Sequence, residues 1–267
     1  MGGLTKILFI GDIVGRPGRI AVRELLPGLV GRYSPDLIIA NGENSAGGFG
    51  ITPEIAEELK ALQVDVITSG NHIWDKKEIY DYLNSEKRLL RPANYPEGAP
   101  GSGSAVYQCP SGAKVGVVNL MGRVFMDGLD CPFRAASEAV RRISGETPII
   151  FVDMHAETTS EKAAMGYYLD GKVSAVIGTH THIQTSDERV LPNGTAFISD
   201  AGMTGPTDSV IGMRKEIIIE RFLTQMPVRF EVAAKGVELQ GVFMTVSSDG
   251  RAAHIERIKT PLGKDKD

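Results

Sequence analysis

The stretch Ile7-Leu8-Phe9-Ile10-Gly11-Asp12-Ile13-Val14-Gly15-Arg16 decides the fold, because four apolar residues lead directly into a glycine and a carboxylate. Such a run predicts a buried strand that carries Asp12 to the carboxyl edge of a sheet, where open α/β sheets bind ligands. The simpler interpretation is that Asp12 caps a turn. The stretch is not a phosphate-binding loop, because the Gly-Lys-Ser/Thr ending of such loops is missing.

Apolar runs of this kind recur along the chain and alternate with segments of helical pattern. The predicted strands are Lys6–Ile10, Leu37–Ala40, Val64–Thr68, Val115–Asn119, Ile149–Val152, Ala175–Gly178 and Thr195–Ser199. The predicted helices are Gly18–Tyr33, interrupted by Pro27, and Thr52–Leu62, Asp75–Ser85, Phe133–Ser144 and Thr159–Leu169. Thr52 is the expected N-cap of its helix. The alternation is typical of βαβ units and predicts the α/β class.

The pattern changes from about Val190 onward, where turn residues separate strand-like runs. These predict strands at Ile217–Phe222, Val228–Val232, Gly236–Val246 and Ala253–Ile258, so the last third should be mainly antiparallel. A four-layer α/β/β/α sandwich accommodates both parts of the chain. The length of 267 residues fits one domain, 1–262, better than two small ones. Only the tail, 263–267, is expected to be disordered.

The composition excludes several classes of protein. A formal net charge of -4 argues against a broad basic surface for long nucleic acids, whereas a small phosphorylated ligand is compatible if bound cations supply positive charge. The two cysteines, Cys109 and Cys131, form no CxxC motif, which fits a reducing cytoplasm. We expect no signal peptide and no membrane span, because no apolar run is long enough.

Four of the five histidines, namely His72, His155, His180 and His182, follow hydrophobic stretches and lie among Gly, Asn, Thr or Asp. A single histidine is more often structural, but four in parallel contexts indicate metal ligands at strand ends. Imidazole is the commonest side-chain ligand of transition metals, and carboxylate or amide oxygens complete such sites. Equivalent positions supply these oxygens from Asp12, Glu43, Asn44 and Asn71.

The segments that carry these residues also allow simpler interpretations. Glu43 has two oxygens and can bridge two cations, while Asn44 can offer an amide oxygen to a metal or its amide hydrogens to a phosphate. An Asx turn would explain this segment if it stood alone. Asn71 and His72 should point in different directions in an extended chain, which suits a ligand followed by a catalytic acid. A polar turn is the alternative there.

Three further features complete the candidate site. In an extended segment His180 and His182 would face the same way, which is a frequent chelating arrangement. Asp153 and Glu157 are candidates for supporting or structural roles. Two stretches predicted as loops, 120–127 and 201–209, are candidates for the substrate rim, with Arg123 or Phe125 as contacts. A surface charge and a core aromatic explain those two residues equally well.

The ordered motifs GD, GEN, GNH, H and GTHTH, spread from Gly11 to His182, resemble those of the calcineurin-like metallophosphoesterase superfamily. The variants GDIVGRPGR, NGENSAGGFGIT, SGNHIWD, DMHAE and GTHTHIQTSD look most like the bacterial YmdB-like family of 2',3'-cyclic-nucleotide 2'-phosphodiesterases. The resemblance extends to near Arg214 and covers most of the chain. It implies a four-layer α/β/β/α sandwich that carries two metal ions, usually iron or manganese.

The resemblance also implies a role for each motif residue. Asp12, Asn44 and His182 would hold the first metal, Asn71, His155 and His180 the second, and Glu43 would bridge them. His72 would protonate the leaving oxygen. The chain departs from the superfamily at Asp12-Ile13-Val14, where the histidine of a DxH motif is absent, and at Gly42-Glu43, which replaces GD. Asn44 is the expected substitute ligand.

The main hypothesis that follows from this resemblance is that the protein is a dinuclear phosphodiesterase acting on small cyclic nucleotides. Two cations about 3.5 to 4 Å apart can activate water and hold a phosphodiester for in-line attack. Opening at the 2' oxygen, which leaves a 3'-phosphate, is implied by the family alone.

Two other functions stay open at this stage. A phosphomonoesterase or phosphoprotein phosphatase could use the same centre. A regulatory, RNA-associated binding protein could use it to sense a ligand, and unchanged cellular output in a hydrolysis-deficient His72→Ala protein would favour that function. The sequence leaves open whether the chain forms a homo-oligomer.

Overall fold

Two β-sheets form the centre of the computed structural model, which describes residues 3–263. With strands numbered in chain order, the first sheet has seven: β1 Thr5–Ile10, β2 Asp12–Ile13, β3 Leu37–Asn41, β4 Val66–Thr68, β11 Met203–Pro206, β12 Val237–Val246 and β13 Ala252–Pro261. Their order is β2-β11-β12-β1-β3-β4, and β13 pairs with β12. Strands β1, β3 and β4 are parallel, whereas β12 is antiparallel to both β1 and β13.

The second sheet uses one continuous part of the chain. Its six strands are β5 Ser104–Gln108, β6 Lys114–Met121, β7 Ile150–His155, β8 Ala175–Thr179, β9 Arg189–Val190 and β10 Ala196–Ile198. They follow the order β5-β6-β7-β8-β10-β9, and β6, β7, β8 and β10 are parallel. The parallel strands of both sheets were predicted within a few residues of their observed ends.

Helices cover the outer faces of both sheets. They are α1 Gly15–Tyr33, α2 Pro53–Ala61, α3 Ile79–Ser85, α4 Pro132–Ile143 and α5 Thr159–Leu169. A further helix, α6 Lys215–Thr224, is mainly exposed, and a 3-10 helix lies at Asn71–Trp74. Side chains alternate along β1, so Phe9 packs with Phe151 of the second sheet at 5.1 Å between ring centroids, while Leu8 shares a cluster with Leu26 of α1. On the second sheet, Val152 packs with helices α4 and α5. The expected α/β class is confirmed.

The predicted strand Ile217–Phe222 is wrong, because this segment lies in α6. Three consecutive isoleucines suggested a strand, yet only Ile218 of this helix is buried. The helix has Glu216 in its first turn and Arg221 in its last, which complements the helix dipole. It ends at Gln225 in a left-handed conformation. Local charge pattern and capping therefore outweigh β propensity here.

Three other predictions of local structure also need correction. Val228–Val232 forms one isolated bridge instead of a strand, and Val232 lies against the backbone at Gly15 and Gly48. Pro27 does not interrupt α1, since it lies on the exposed side where water can solvate the carbonyl that loses its partner. The helix expected from Asp75 begins at Ile79, because the 3-10 helix precedes it.

Two further predictions concern the C-terminal tail and membrane-spanning segments. The tail predicted to be disordered falls outside the described residues apart from Gly263. Within the described residues, no helix combines the length and the apolar character needed to cross a membrane.

Thr52 caps α2 as predicted, since its Oγ1 accepts a hydrogen bond from the Ile55 N–H at 3.3 Å. We expect Thr52→Ala to lower the free energy of unfolding by about 1 kcal/mol, because a helix N–H loses its partner. Urea unfolding followed by circular dichroism measures this change. Thr52→Ser keeps the hydroxyl and should retain most of the stability, and equal losses in both variants would contradict the capping role.

Candidate metal centre

The predicted site residues come together where the parallel strands of both sheets end. The first sheet brings Asp12 at the start of β2, Glu43 and Asn44 after β3, and Asn71 and His72 after β4. The second sheet brings His155, the last residue of β7, and His180 and His182 just after β8. All eight lie at or just after the ends of buried parallel strands, which is why their side chains meet at one edge.

His155 Nε2 is the centre of the closest group. It lies 3.0 Å from Glu43 Oε1, 3.1 Å from Asn71 Oδ1 and 3.0 Å from His180 Nδ1. Among the described residues, one donor atom from each of Glu43, His155 and His180 lies within 4.8 Å of the other two. Four donor atoms thus converge from separate segments of the chain.

Asp12, Asn44 and His182 form a second group beside the first. His182 Nε2 lies 3.9 Å from Asp12 Oδ1 and 3.1 Å from Asn44 Nδ2. Asn44 Nδ2 also lies 3.1 Å from Glu43 Oε1, so Glu43 contacts both groups. Within the described residues, the buried atoms Asp12 Oδ1 and Asn44 Oδ1 lack a hydrogen-bond partner. Buried oxygens without partners are costly in a protein interior and suit coordination of a cation.

The outer nitrogen of each histidine is held by an oxygen. His155 Nδ1 donates to Thr179 Oγ1 at 2.9 Å, because the Thr179 hydroxyl itself donates to Asp153 Oδ1 at 2.7 Å. His182 Nδ1 donates to the carbonyl oxygen of Ile211 at 2.8 Å. His180 Nε2 lies 3.1 Å from Glu157 Oε2. This pattern leaves the inner nitrogens available as ligands, as in metal sites whose histidines are oriented by outer partners.

The close contacts among Glu43, His155 and His180 shift the pKa values of all three side chains. Burial alone would raise the pKa of Glu43, but the charge of His155 and a hydrogen bond from it lower that pKa to about 2. Burial opposes the charge on His155, yet Glu43 and Asp12 raise its pKa to about 9. Burial and the charge of His155 lower the pKa of His180 to about 3.

A single proton on His155 Nε2 can be donated to only one of its three neighbours at a time. A cation in the same place is attracted to all four donors, so the donor set fits a metal better than it fits a proton. Burial also raises the pKa of Asp12, and a nearby cation would oppose this effect. The residues present therefore fit a metal centre.

Asp153 combines the supporting and the structural role, the two roles expected for it. It is fully buried and accepts hydrogen bonds from Thr68 Oγ1 at 2.5 Å and Asn41 Nδ2 at 3.2 Å, in addition to Thr179. Burial raises its pKa to about 7. Through Thr179 it orients His155, and Glu157 similarly contacts His180.

His72 is the most accessible histidine of the site, with 28% of its side chain exposed. Its backbone N–H donates to Glu43 Oε2 at 3.1 Å, and its Nδ1 lies 2.9 Å from Asp75 Oδ2. The ring of Phe49 packs against it at 5.0 Å between centroids. The expected extended chain is wrong, since Asn71 and His72 begin a 3-10 helix, but the two side chains do contact different partners.

The extended conformation expected for the HxH segment is also wrong. His180 and His182 have φ of 98° and 64°, which lie in the left-handed region. Their side chains consequently contact different groups, His180 that of His155 and His182 that of Asn44. The positive φ of these two histidines could not be read from the sequence, because residues other than glycine adopt it uncommonly and no glycine marks the turn there.

Gly70 is a site residue that sequence reasoning missed. A Cβ at this position would overlap the ring of His155 and Glu43 Oε2. The backbone therefore passes the cluster at a distance that only glycine permits. The signal was present in the SGNH motif, where the glycine directly precedes the candidate ligand Asn71.

A cavity of about 270 Å³ opens beside His182 and has mixed walls. Its lining includes Met203, Thr207 and Ser209 from the predicted rim stretch 201–209. That stretch is not purely a loop, because it contains β11. In the other predicted rim stretch, Arg123 and Phe125 are exposed, and Phe125 at 90% exposure is not a core residue.

Comparison with known proteins identifies the family of the chain. The family model described as YmdB-like protein matches residues 8–258. The chain is 51% identical to a protein of Bacillus subtilis (strain 168) named 2',3'-cyclic-nucleotide 2'-phosphodiesterase, over 95% of this chain and 96% of the relative.

Two solved structures share the fold closely. A hypothetical protein from Thermus thermophilus is 42% identical, with a TM-score of 0.90 over 97% of this chain and 100% of the other. A structure described as a novel phosphatase from Mycoplasma pneumoniae is 35% identical, with a TM-score of 0.91 over 98% of this chain and 95% of the other. With matches that span nearly its whole length, the chain belongs to the YmdB-like family.

Proposed function

We propose that the protein is a metal-dependent phosphodiesterase that hydrolyses small cyclic nucleotides, and specifically 2',3'-cyclic nucleotides to 3'-nucleotides. The convergence of Glu43, Asn71 and His180 on His155 Nε2 carries this proposal, because phosphodiester hydrolysis at such centres needs cations. The name of the Bacillus subtilis relative supports the substrate class.

The proposed centre holds two metal ions, iron or manganese. The first group, Asn71, His155 and His180, would hold one ion, and the group of Asp12, Asn44 and His182 would hold the other. Glu43 would bridge them, since it contacts members of both groups. Bound cations supply charge for the phosphate oxygens and lower the pKa of a water molecule. Three nitrogens and four oxygen-bearing side chains are a donor set that suits these metals.

His72 is the proposed proton donor to the leaving oxygen. Its contact with Asp75 involves Nδ1, which leaves Nε2 for the substrate. The hydrogen bond from its backbone to Glu43 keeps it beside the cluster, and its exposure allows a substrate to reach it. A donor placed in this way protonates the 2' oxygen as its bond to phosphorus breaks.

We also propose that residues 1–262 act as one domain in the cytoplasm. The pairing of β1 with β12 joins both ends of the chain in one sheet, which supports the single domain. Both cysteines are free, which suits a reducing compartment. The proposed partner is a small nucleotide, and the net charge of -4 favours it over long nucleic acids.

One substrate screen tests the function. Protein loaded with Mn²⁺ or Fe²⁺ is assayed with 2',3'-cyclic AMP, bis-p-nitrophenyl phosphate and p-nitrophenyl phosphate, and the position of the product phosphate is determined by chromatography. We expect hydrolysis of both diesters and a 3'-nucleotide product. Inactivity on both diesters would refute the proposal, while a marked preference for the monoester would indicate a phosphatase, the word used for the Mycoplasma pneumoniae structure.

His72→Gln should lower kcat on 2',3'-cyclic AMP by about 10²-fold or more, the usual contribution of general acid catalysis. The loss should be smaller with p-nitrophenyl esters, whose leaving group needs little protonation. Metal content, measured by inductively coupled plasma mass spectrometry, should stay unchanged. His254→Gln is the matched control, because His254 lies exposed on β13. Equal losses on both kinds of leaving group would contradict the role of His72 as an acid.

A further inference from the structure

We propose that Lys162, Asp200 and Thr181 form a clamp that positions His180 and His182, so that metal affinity depends on residues that touch no metal. This inference rests on the metal centre of the proposed function. Lys162 and Asp200 lie outside the motifs that mark the ligands, whereas Thr181 lies within GTHTH, between His180 and His182.

A buried ion pair is the first part of the clamp. Lys162 Nζ on α5 lies 2.7 Å from Asp200 Oδ2, and the two side chains are only 2% and 1% exposed. Burial of two charges removes their hydration, and a well-packed apolar pair is often at least as stabilising. Stability alone is therefore a weak reason for a lysine on the buried face of a helix.

Hydrogen bonds connect this pair to the ligand segment. Asp200 Oδ2 also accepts the Thr181 N–H at 3.1 Å and the Thr181 hydroxyl at 2.7 Å. Asp200 Oδ1 accepts the Gly202 N–H at 2.9 Å. The carboxylate thus fixes both the backbone and the side chain of the residue between His180 and His182.

The ligand segment requires such support because of its backbone. His180 and His182 both have positive φ, which is unfavourable for residues with a Cβ. A segment with two such residues would relax towards an extended form unless contacts held it, and relaxation would swing the imidazoles away from their partners. Thr181 lies at the middle of this segment, where one anchor restrains both histidines.

Gly178 lies next to the side chain of Lys162 where that side chain passes towards Asp200. A Cβ at this position would lie 2.7 Å from Lys162 Cδ and would overlap the carbonyl oxygen of Ser199. The glycine of the GTHTH motif therefore leaves room for the lysine to reach Asp200. The motif and the clamp depend on each other sterically.

Chelator competition tests the proposal on the metal-loaded protein. Wild type and variants, loaded with Mn²⁺, are equilibrated with increasing EGTA, and the retained metal is measured by mass spectrometry. We expect Lys162→Met and Thr181→Val to lose Mn²⁺ at a free EGTA concentration about 10-fold lower than the wild type does. A change of this size is the lower end of the effect of replacing residues that orient metal ligands. Thr181→Ser keeps the hydroxyl and should retain wild-type affinity.

Lys60→Met provides a matched control for the loss of a lysine ion pair. Lys60 pairs with Glu86, its side chain is 7% exposed, and its other partners are Glu57 and Tyr82, away from the cluster. We expect this variant to lose stability in thermal unfolding without a change in chelator competition. A purely structural role for Lys162 predicts the same behaviour for both variants.

The results of these experiments distinguish the clamp, the metal centre and the proposed phosphodiesterase function from one another. Wild-type Mn²⁺ retention in folded Lys162→Met and Thr181→Val would overturn the clamp, and Thr181→Val decides alone if Lys162→Met does not fold. A wild-type protein that binds neither Mn²⁺ nor Fe²⁺ would overturn both the clamp and the metal centre. Clamp-dependent binding without hydrolysis of any phosphodiester would overturn only the proposed function.

Discussion

Glu43→Gln is expected to lower kcat/KM on 2',3'-cyclic AMP by about 10³-fold, which corresponds to about 4 kcal/mol of transition-state stabilisation. Glu43 is 1% exposed, and its Oε1 contacts both His155 Nε2 and Asn44 Nδ2. Its Oε2 accepts the His72 N–H. Glutamine has almost the same shape but no charge, and its single carbonyl oxygen can replace only one of the two carboxylate oxygens, so either the Oε1 contacts or the His72 N–H loses its acceptor.

Metal content distinguishes the cause of this loss. We expect the Glu43→Gln protein to retain fewer than two metal ions per chain, because the bridging charge is missing. Glu157→Gln is the comparison for which a smaller effect is expected, since Glu157 is 48% exposed and the amide oxygen of glutamine could still accept a hydrogen bond from His180 Nε2. That variant should lose far less activity. Full metal content and near-normal turnover in Glu43→Gln would exclude a bridging role.

Gly70→Ala should reduce activity by about 10²-fold or more, since a misplacement of about 1 Å at a catalytic centre has effects of this size. The added methyl group would overlap the ring of His155 and Glu43 Oε2, so at least one of these side chains must move. Neither can move freely, because both are fully buried. Overpacking should also lower the free energy of unfolding by about 1–3 kcal/mol.

The matched control for this variant is Gly28→Ala. Gly28 lies inside α1, and a Cβ there would have no heavy atom within 4 Å. The substitution should raise the free energy of unfolding by about 0.5–1 kcal/mol, because glycine is a poor helix former, and should leave turnover unchanged. Kinetics and urea unfolding of both variants provide the comparison. An active Gly70→Ala enzyme would show that the cluster tolerates displacement.

The sequence predicted the location of the site because strand ends are visible in it. A buried strand appears as an apolar run, and the polar residue that follows must lie at the sheet edge, as for Asp12 and His155. The structure places all eight candidate residues together on this basis. The number and identity of metal ions and the role of each ligand stay predictions.

Contacts between segments remote in the chain could not be predicted. Nothing near Thr181 indicates that Lys162 and Asp200 reach it, although a lysine in line with the buried Met165 and Leu169 of α5 is an unusual pattern. The positive φ of His180 and His182 depends on these partners. Ile217–Phe222 shows the opposite error, because the β-branched residues suggested a strand while the ends of the segment favour a helix.

The strand order of the first sheet has a consequence for biosynthesis. Strand β1 lies between β3 and β12, so its pairing is complete only after residue Val246 has left the ribosome. The second sheet, formed by 104–198, needs no such late segment. Long-range pairing of this kind forms slowly. We therefore expect the nascent chain to order the second sheet first, and the cluster shared by both sheets to assemble near the end of translation.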